Sequence, residues 1–362
     1  MDGKGKTPQH DASFQSCSRV KLPGASGATA RVGTIMAIPT VLKRLGVNPA
    51  ELLAELRLDP GLFDDPDNLI AYTARCRLLN LCVTRTGCNH FGLLIGQEEG
   101  LHSLGAIGYL AQSSQDVGSA LLSICEFMHI QAQGVEVSIV VDGPSAVFRY
   151  EIYESKVEAV DQTYDAAVAI MFNTMRTLCG EDWRPARVLF AHRRPKDVAP
   201  YRRLFQAPLD FDAVYNGLLF PATDLNRELA RFDPVLHRLM QKQIDALKAE
   251  CGDAFESQVM RLLRTAVLTG ECSQDRVADA FAMDARTLRR RLRESGASFS
   301  ELQQRCRLEV AKQFLETSDM DVAAIAETLQ YSNSSAFTRA FRRWSGKAPT
   351  HWRAARHHAK IR

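Results

Sequence analysis

The chain has 362 residues, a formal net charge of +3, 46% hydrophobic and 24% charged residues. That length suits two domains with ample core, the composition is globular rather than low-complexity, and no run of about eighteen apolar residues marks a membrane span. Its nine cysteines form no Cys-x-x-Cys pair and are odd in number, a pattern of reduced core thiols in a cytoplasmic protein rather than of a disulfide framework.

Residues 1–30 carry Gly, Ser, Lys and Ala without an apolar run, so a disordered tail is expected there and not a secretory signal. Arg31 to Arg57 reads as helical, with Leu42, Leu45, Leu52, Leu53 and Leu56 as apolar positions, broken between Gly46 and Pro49. Asn68 to Thr86 and Asp116 to Gln131 read as further amphipathic helices. Cys76, Cys82 and Cys88 are six residues apart; on one helix their sulfurs point about 120° from one another and cannot share a metal. No metal site is expected.

Between Gly134 and Tyr153 two strand-like runs flank Asp142-Gly143-Pro144, a hairpin signal. A long helix is expected from Glu158 to Cys179, then short strands at Arg187 to Ala191, Leu209 to Phe211 and Gly217 to Phe220, with Pro208 and Pro221 marking ends. His102, Tyr109 and His129 flank apolar segments and are the candidates for lining a pocket. No nucleophile elbow, His-Glu-x-x-His or phosphate-cradling motif occurs, so no catalytic residue and no cofactor is expected. Residues 223–250 read as helical, with Leu236, Leu239, Gln243 and Leu247 along one side. That side either packs on its own domain or pairs with a second copy.

The last hundred residues repeat one pattern. Val277, Ala278 and Phe281 form an apolar stripe, and Asp284 stands where a helix N-cap belongs. On a wheel of about 100° per residue, Leu288, Leu292 and Ala285 face inward while Arg286, Arg290 and Arg293 face out. The second copy runs from Ile325-Ala326 through Ser332, the expected cap, to Phe337, Ala340 and Phe341 inside and Ser335, Arg339 and Arg342 outside. Between them Leu302, Cys306, Val310 and Phe314 recur every four residues, a connecting helix of about 17 residues or 25 Å. Two helix-turn-helix units on one strut can address major grooves about one turn, ~34 Å, apart. Charge agrees: residues 260–362 hold 19 Lys+Arg against 11 Asp+Glu, while the remainder is net acidic, as expected when one module meets phosphate.

These residues, with Arg286 to Leu292, Gly296 to Phe299, Arg307, Ala311, Ser335 to Trp344, Gly346 to Pro349 and Trp352-Arg353, resemble the AraC/XylS family of bacterial transcription regulators over roughly 255–355. The resemblance implies that Arg286, Thr287, Arg289 and Arg290 face the groove in the first unit and Ser334, Ser335 and Arg339 in the second. Arg286, Arg290 and Arg339 are expected to specify bases, and Arg342, Arg343 and Lys347 to anchor phosphate. The family has glycine in both turns where this chain has Ala282 and Gln330, residues that tolerate a left-handed backbone less readily. His90 to Gly96, Leu104 to Leu110, Arg187 to His192 and Asn216 to Pro221 are similar to the arabinose-binding type of amino-terminal domain. That likeness implies sensing of a small-molecule effector, dimerisation, or both, without making arabinose the ligand.

The expected fold class is α+β. A mixed sensing domain (31–222) precedes linker helices (223–254), an all-α DNA-binding domain (255–355) with two helix-turn-helix units, and a basic tail (356–362). The expected function is a sequence-specific, ligand-responsive transcription activator. Its partners would be double-stranded promoter DNA, RNA polymerase, an effector and a second copy as homodimer, with no membrane partner. A DNA-repair enzyme bearing such a module would need a cysteine cluster and a Pro-Cys-His setting that are absent. A nonspecific architectural protein is the alternative, though it would not need two phased helices.

Overall fold

The computed structural model describes residues 28–154, 157, 159–230, 232–251, 255–269, 272–294, 296–318 and 320–359. Most of the expected N-terminal tail, and the end of the basic tail, lie outside them. Strand β1 (Thr29–Arg31) leads through a 3-10 turn at Val32–Ile35 into α1 (Ile38–Arg44) and α2 (Pro49–Glu55). The helical reading of 31–57 therefore holds only from Ile38, because Arg31 closes β1, which pairs antiparallel with β2 (Leu69–Ala71), and 32–35 forms the tight turn; Thr29 and Ala30, expected in a disordered tail, belong to that strand. For the same reason α3 starts at Tyr72 and runs to Thr86, not from Asn68. A pairing partner remote in sequence overrides local helix periodicity at both places.

Next come α4 (Phe91–Glu98), α5 (Ala106–Gln112) and α6 (Val117–Gln131), the last capped by Asp116, which accepts from the Ser119 N–H. The expected hairpin forms as β3 (Val135–Asp142) and β4 (Ser145–Ile152), paired in register around Gly143-Pro144. Then α7 (Asp161–Cys179), β5 (Arg187–Leu189), α8 (Ala199–Phe205), β6 (Leu209–Asp210) and β7 (Asn216–Pro221) complete a five-stranded sheet of order β3-β4-β7-β5-β6. Only the β5–β6 pair is parallel. Short α4, α5 and α8 escape the sequence reading because seven- or eight-residue helices show barely two turns of periodicity.

The His90 to Gly96 motif gains a physical reason here. A Cβ on Gly92 would sit 2.0 Å from the Gln162 carbonyl oxygen, and one on Gly96 would sit 2.5 Å from the Ala169 Cβ. Two glycines one turn apart thus let α4 lie directly on α7. Beside this contact runs a buried polar chain. Asp165 of α7 accepts from Tyr201 Oη at 2.7 Å and Gln162 Nε2 at 3.3 Å, and meets His192 Nε2 at 3.0 Å. His192 Nδ1 lies 2.9 Å from the Arg193 carbonyl oxygen.

The linker begins later than expected. Residues 222–226 form a 3-10 turn, and α9 (Pro234–Cys251) starts where Asp233 accepts from the Val235 and Leu236 N–H groups. One side of α9 docks on its own domain through buried Ile244, with Met240 and Leu247, while Val235, Leu236 and Leu239 stay exposed. The chain continues as α10 (Phe255–Thr269), α11 (Gln274–Ala280), α12 (Ala285–Glu294), α13 (Phe299–Thr317), α14 (Val322–Thr328), α15 (Ser334–Ser345) and α16 (Pro349–Ala359). Among the described residues no helix is long and apolar enough to cross a membrane.

The two domains meet at Arg264 of α10. Its guanidinium is 2% exposed and donates through Nη2 to the Ile152 carbonyl oxygen at 2.8 Å. Burial would lower its pKa, but surrounding charge, chiefly Glu151 of β4, raises it instead.

His192 gives the first testable outcome. Burial pushes its pKa down, yet the charge and hydrogen bond of Asp165 outweigh that and raise it from 6.5 to about 9. A pKa raised on folding means the charged imidazole contributes fully below about pH 6.5, and the contribution is lost as pH rises through about 9. Urea unfolding of the wild type should lose stability across that window relative to a His192→Gln variant. Parallel curves would contradict the charged pair.

Candidate nucleic-acid interface

The C-terminal helices share one hydrophobic core. Val277 and Ala278 of α11, Leu288 and Leu292 of α12, Leu302, Cys306, Val310 and Phe314 of α13, Ile325 and Ala326 of α14, and Phe337 and Phe341 of α15 all belong to it. The four-residue repeat read from 302 to 314 is therefore the strut's buried side. At 19 residues α13 is about 28 Å long, slightly longer than expected because Ser298 and Glu301 form a reciprocal capping box that starts it at Phe299.

In the first unit, Ser273 caps α11 by accepting from the Arg276 N–H, and Gln274 Nε2 reaches the Ala285 carbonyl oxygen at 2.9 Å, tying the start of α11 to that of α12. Asp284 is the N-cap of α12: its Oδ1 accepts from the Thr287 N–H at 2.8 Å and its Oδ2 from Thr287 Oγ1 at 3.2 Å. The Thr287 N–H, above other causes, holds the Asp284 carboxyl below its ordinary pKa. With Leu288 and Leu292 buried, Arg286, Arg289, Arg290, Arg291 and Arg293 are exposed and Thr287 is half-buried. Their tethers differ. Arg291 lies over the Phe255 ring, and Arg289 Nε donates to the Ala285 carbonyl oxygen at 3.2 Å. Arg290 faces Glu294 at 3.9 Å with both side chains exposed, an ion pair worth at most about 1 kcal/mol that a base edge can displace.

The second unit repeats this build with one shift. Asp321 caps α14, but the cap of α15 is Asn333 rather than the expected Ser332. Asn333 has an extended backbone and accepts from the Ala336 N–H at 2.8 Å, while α15 begins only at Ser334. Asn is among the best caps because its short side-chain oxygen reaches the second or third N–H. Phe337 and Phe341 are buried, whereas Ala340, expected inside, is half-buried. Ser334, Ser335, Arg339, Arg342, Arg343 and Lys347 are exposed.

An open groove gathers Ser334, Ser335, Thr338 and Arg339 of α15 with Asp321, Val322 and Ala323 from the start of α14 and Thr350 of α16. Three residues expected from sequence thus line one concavity. Thr338 was missed although it lies one turn after Ser334; Thr350 could not be found without knowing where α16 folds back.

Both turns keep the geometry that glycine would favour. Ala282 has φ 51° and Gln330 has φ 60°. Each is enforced by its surroundings: the Met283 N–H reaches the Ala278 carbonyl oxygen at 3.0 Å and the Tyr331 N–H reaches that of Ala326 at 2.9 Å. Tyr331 also packs its ring against Phe337.

The pocket candidates of the front domain do not converge. Tyr109 is 54% exposed on α5, exposed His102 faces Glu99 at 3.6 Å, and half-buried His129 on α6 holds Nδ1 2.9 Å from the Glu126 carbonyl oxygen. None of them lines the domain's buried cavity. Among the described residues no group of three or more His, Cys, Asp or Glu could hold a metal ion. The free thiols of Cys76, Cys82 and Cys306 are buried, and burial pushes Cys82 and Cys306 up to about 12.

A mixed sheet domain joined to a helical domain with two capped, arginine-faced helix-turn-helix units defines a DNA-binding regulator, not an enzyme. Residues 46–229 match the arabinose-binding domain of AraC transcription regulator, N-terminal, and residues 277–355 match a helix-turn-helix domain. The chain belongs to the AraC family of transcription regulators. It is 26% identical over 330 residues to the HTH-type transcriptional regulator VirS of Mycobacterium tuberculosis, covering 91% of this chain and 97% of that one. It is also 26% identical over 324 residues to the ornithine utilization regulator of Pseudomonas aeruginosa, covering 88% and 94%. The crystal structure of the transcriptional regulator CdpR from Pseudomonas aeruginosa covers 87% of this chain and 98% of that one, at 20% identity and a TM-score of 0.40.

The turns yield a direct test. A left-handed residue other than glycine costs about 1–2 kcal/mol, of which the extra unfolded-state entropy of glycine returns about 0.4–1. Ala282→Gly should therefore raise the unfolding free energy by up to about 1 kcal/mol in urea titrations. A loss of similar size would mean that the turn does not hold this backbone.

Proposed function

We propose that this regulator is a sequence-specific, ligand-responsive transcription activator whose α12 and α15 enter successive major grooves of promoter DNA from one subunit. The observation that carries this reading is the single hydrophobic core that locks both arginine-faced helices to α13. Independent units on a tether would give no fixed spacing, whereas a shared core does. In this reading Arg286, Arg290 and Arg339 discriminate bases, Thr287, Arg289, Ser334 and Ser335 position the helices, and Arg342, Arg343 and Lys347 neutralise phosphate. The phased pair of helices favours this over a nonspecific architectural role.

Residues 31–222 would sense the effector, 223–254 link, and 255–355 bind DNA. A role in small-molecule response is supported by the arabinose-binding-type domain and by the name of one relative, the ornithine utilization regulator. The buried Arg264–Ile152 bond supplies a physical route, since any shift of β4 is felt by α10. The exposed Val235, Leu236 and Leu239 of α9 suit pairing with a second copy. Recruitment of RNA polymerase in the cytoplasm completes the proposed mode of action.

Two measurements test the division of labour. Arg290→Ala should weaken binding to the cognate operator by about 1–3 kcal/mol and affect random duplex far less, whereas Arg342→Ala should weaken both alike and reduce the salt slope by about one. Fluorescence anisotropy across a salt series separates the two; equal loss for Arg290→Ala on both duplexes would make it a phosphate anchor. For the joint, Arg264→Met should leave Glu151 and the Ile152 carbonyl buried with a partner removed, a change that typically costs about 3–5 kcal/mol. Calorimetry should then resolve separate unfolding of the two domains, and an unchanged transition would deny Arg264 any part in coupling them.

A further inference from the structure

The core of the front domain contains a cavity bounded by α3, α6, the β3–β4 hairpin and α7. The cavity is a slender slot of about 40 Å³, so a ligand larger than roughly three waters enters only as the apolar side chains of the walls shift aside. Ile124 and Met128 of α6, Phe148 of β4, and Ile170 and Met171 of α7 give it apolar walls.

Five polar side chains interrupt those walls, Thr34, Arg75, Gln131, Tyr150 and Thr174, and three of them keep an unpartnered atom. Arg75, Gln131 and Thr34 are 3%, 5% and 7% exposed, and Arg75 Nε, Gln131 Nε2 and Thr34 Oγ1 have no hydrogen-bond partner. A buried guanidinium without a paired anion costs several kcal/mol, so the protein has reason to keep one here only if something else meets it. Glu99 feels the charge of Arg75, and the guanidinium carbon stands 5.8 Å from the Tyr72 ring, but neither meets Arg75 Nε. Glu99 accepts the Ala37 N–H at 2.9 Å and faces His102 at 3.6 Å, and the Tyr72 and Tyr150 hydroxyls bond each other at 2.9 Å.

The residues lining the slot include one cation and no carboxylate. An ammonium-bearing ligand would therefore find no counter-charge on the lining, and the mostly apolar walls suit a hydrocarbon body better than a polyol. A planar carboxylate matches a guanidinium fork flanked by an amide N–H and a hydroxyl, and the remaining walls suit an apolar body. We propose that this cavity is the effector site and that it takes an apolar monocarboxylate, its carboxylate on Arg75, Gln131 and Thr34 and its hydrocarbon part between α6, β4 and α7. The proposal rests on the sensing role assigned to this domain and names its ligand class. Position also links it to DNA binding: β4 carries Phe148 and Tyr150 in the cavity and, two residues on, Ile152 at the joint with Arg264.

The test is calorimetric titration of the full-length protein with butyrate, octanoate and phenylacetate, each beside its primary amide. At least one acid should bind at least tenfold more tightly than its amide. Arg75→Gln should abolish that preference, and Met171→Trp, which fills the slot from α7, should block acid and amide alike. Should Arg75→Gln fail to fold, the acid-to-amide ratio on the wild type and the Met171→Trp variant still decide. No binding by any acid, equal binding of acid and amide, or binding undisturbed by Met171→Trp would overturn the assignment. Operator binding is measured by anisotropy on the same samples. Acids that fail while operator binding persists sink the ligand class alone, whereas acids that bind without altering operator affinity uphold the site and sink the ligand-responsive reading.

Discussion

A duplex offers its major groove to one side only about every 34 Å, and in the proposed reading that spacing is the constraint the C-terminal half must meet. Two recognition helices can meet it together only if their separation is fixed before binding; otherwise the entropy of ordering them is lost from the affinity. Here the fixing agent is hydrophobic contact. Leu288 and Leu292 from one unit and Phe337 and Phe341 from the other enter the core that α13 lines with Leu302, Cys306, Val310 and Phe314. The arginines gain their meaning from this, because a cation on a helix of undefined position neutralises phosphate but cannot keep register with a base.

Capping sets where each recognition helix begins, and so which side chains lie on its leading turn. Asp284 and Asn333 each turn a short polar side chain back onto an N–H of the following turn. Helix starts also suit contact with anions, since their N–H groups and dipole point outward. Ser334, Ser335 and Arg286 stand at or near such starts. The two turns are held by left-handed Ala282 and Gln330, local strain that the surrounding core contacts offset.

The front domain meets the DNA-binding domain at a buried cluster of ionisable groups rather than a greasy seam alone. Arg264 satisfies the carbonyl at the end of β4 and draws on the field of Glu151, while Glu309 of α13, raised to about 7 by its burial, feels Arg264 from the other side. Buried ionic contacts of this kind add little net stability but are intolerant of misplacement. In the proposed reading, a strand that passes from the cavity to such a contact is a short mechanical path between sensing and DNA binding.

Much of this was legible in the order of residues. Periodicity of 3.6 found α6, α7 and every helix of the two units that carries a buried stripe, period-two alternation and Gly143-Pro144 found the hairpin, and the wheel placed Arg286, Arg290 and Arg339 outward, because these features depend on neighbours a few residues away. Other features depended on partners far along the chain. β1 lies mostly in the expected disordered tail and β2 where a helix was expected, since each needs the other; α9 starts at Pro234; Asn333 displaces Ser332 as cap; and Tyr109, His102 and His129 lie outside the front domain's buried cavity. Arg75 left a faint trace, a cation on the same side of α3 as Tyr72, Cys76 and Leu79. Its unpartnered Nε, like the seat of Arg264 against Ile152, emerges only when α3, α6, β4 and α10 are brought together. Sequence by itself determined the class of protein and the outward faces of its reading helices, because amphipathic pattern and capping are local. The tertiary structure alone decided the cavity and the joint between domains, because burial and pairing of charge are properties of what surrounds a residue, not of what precedes it.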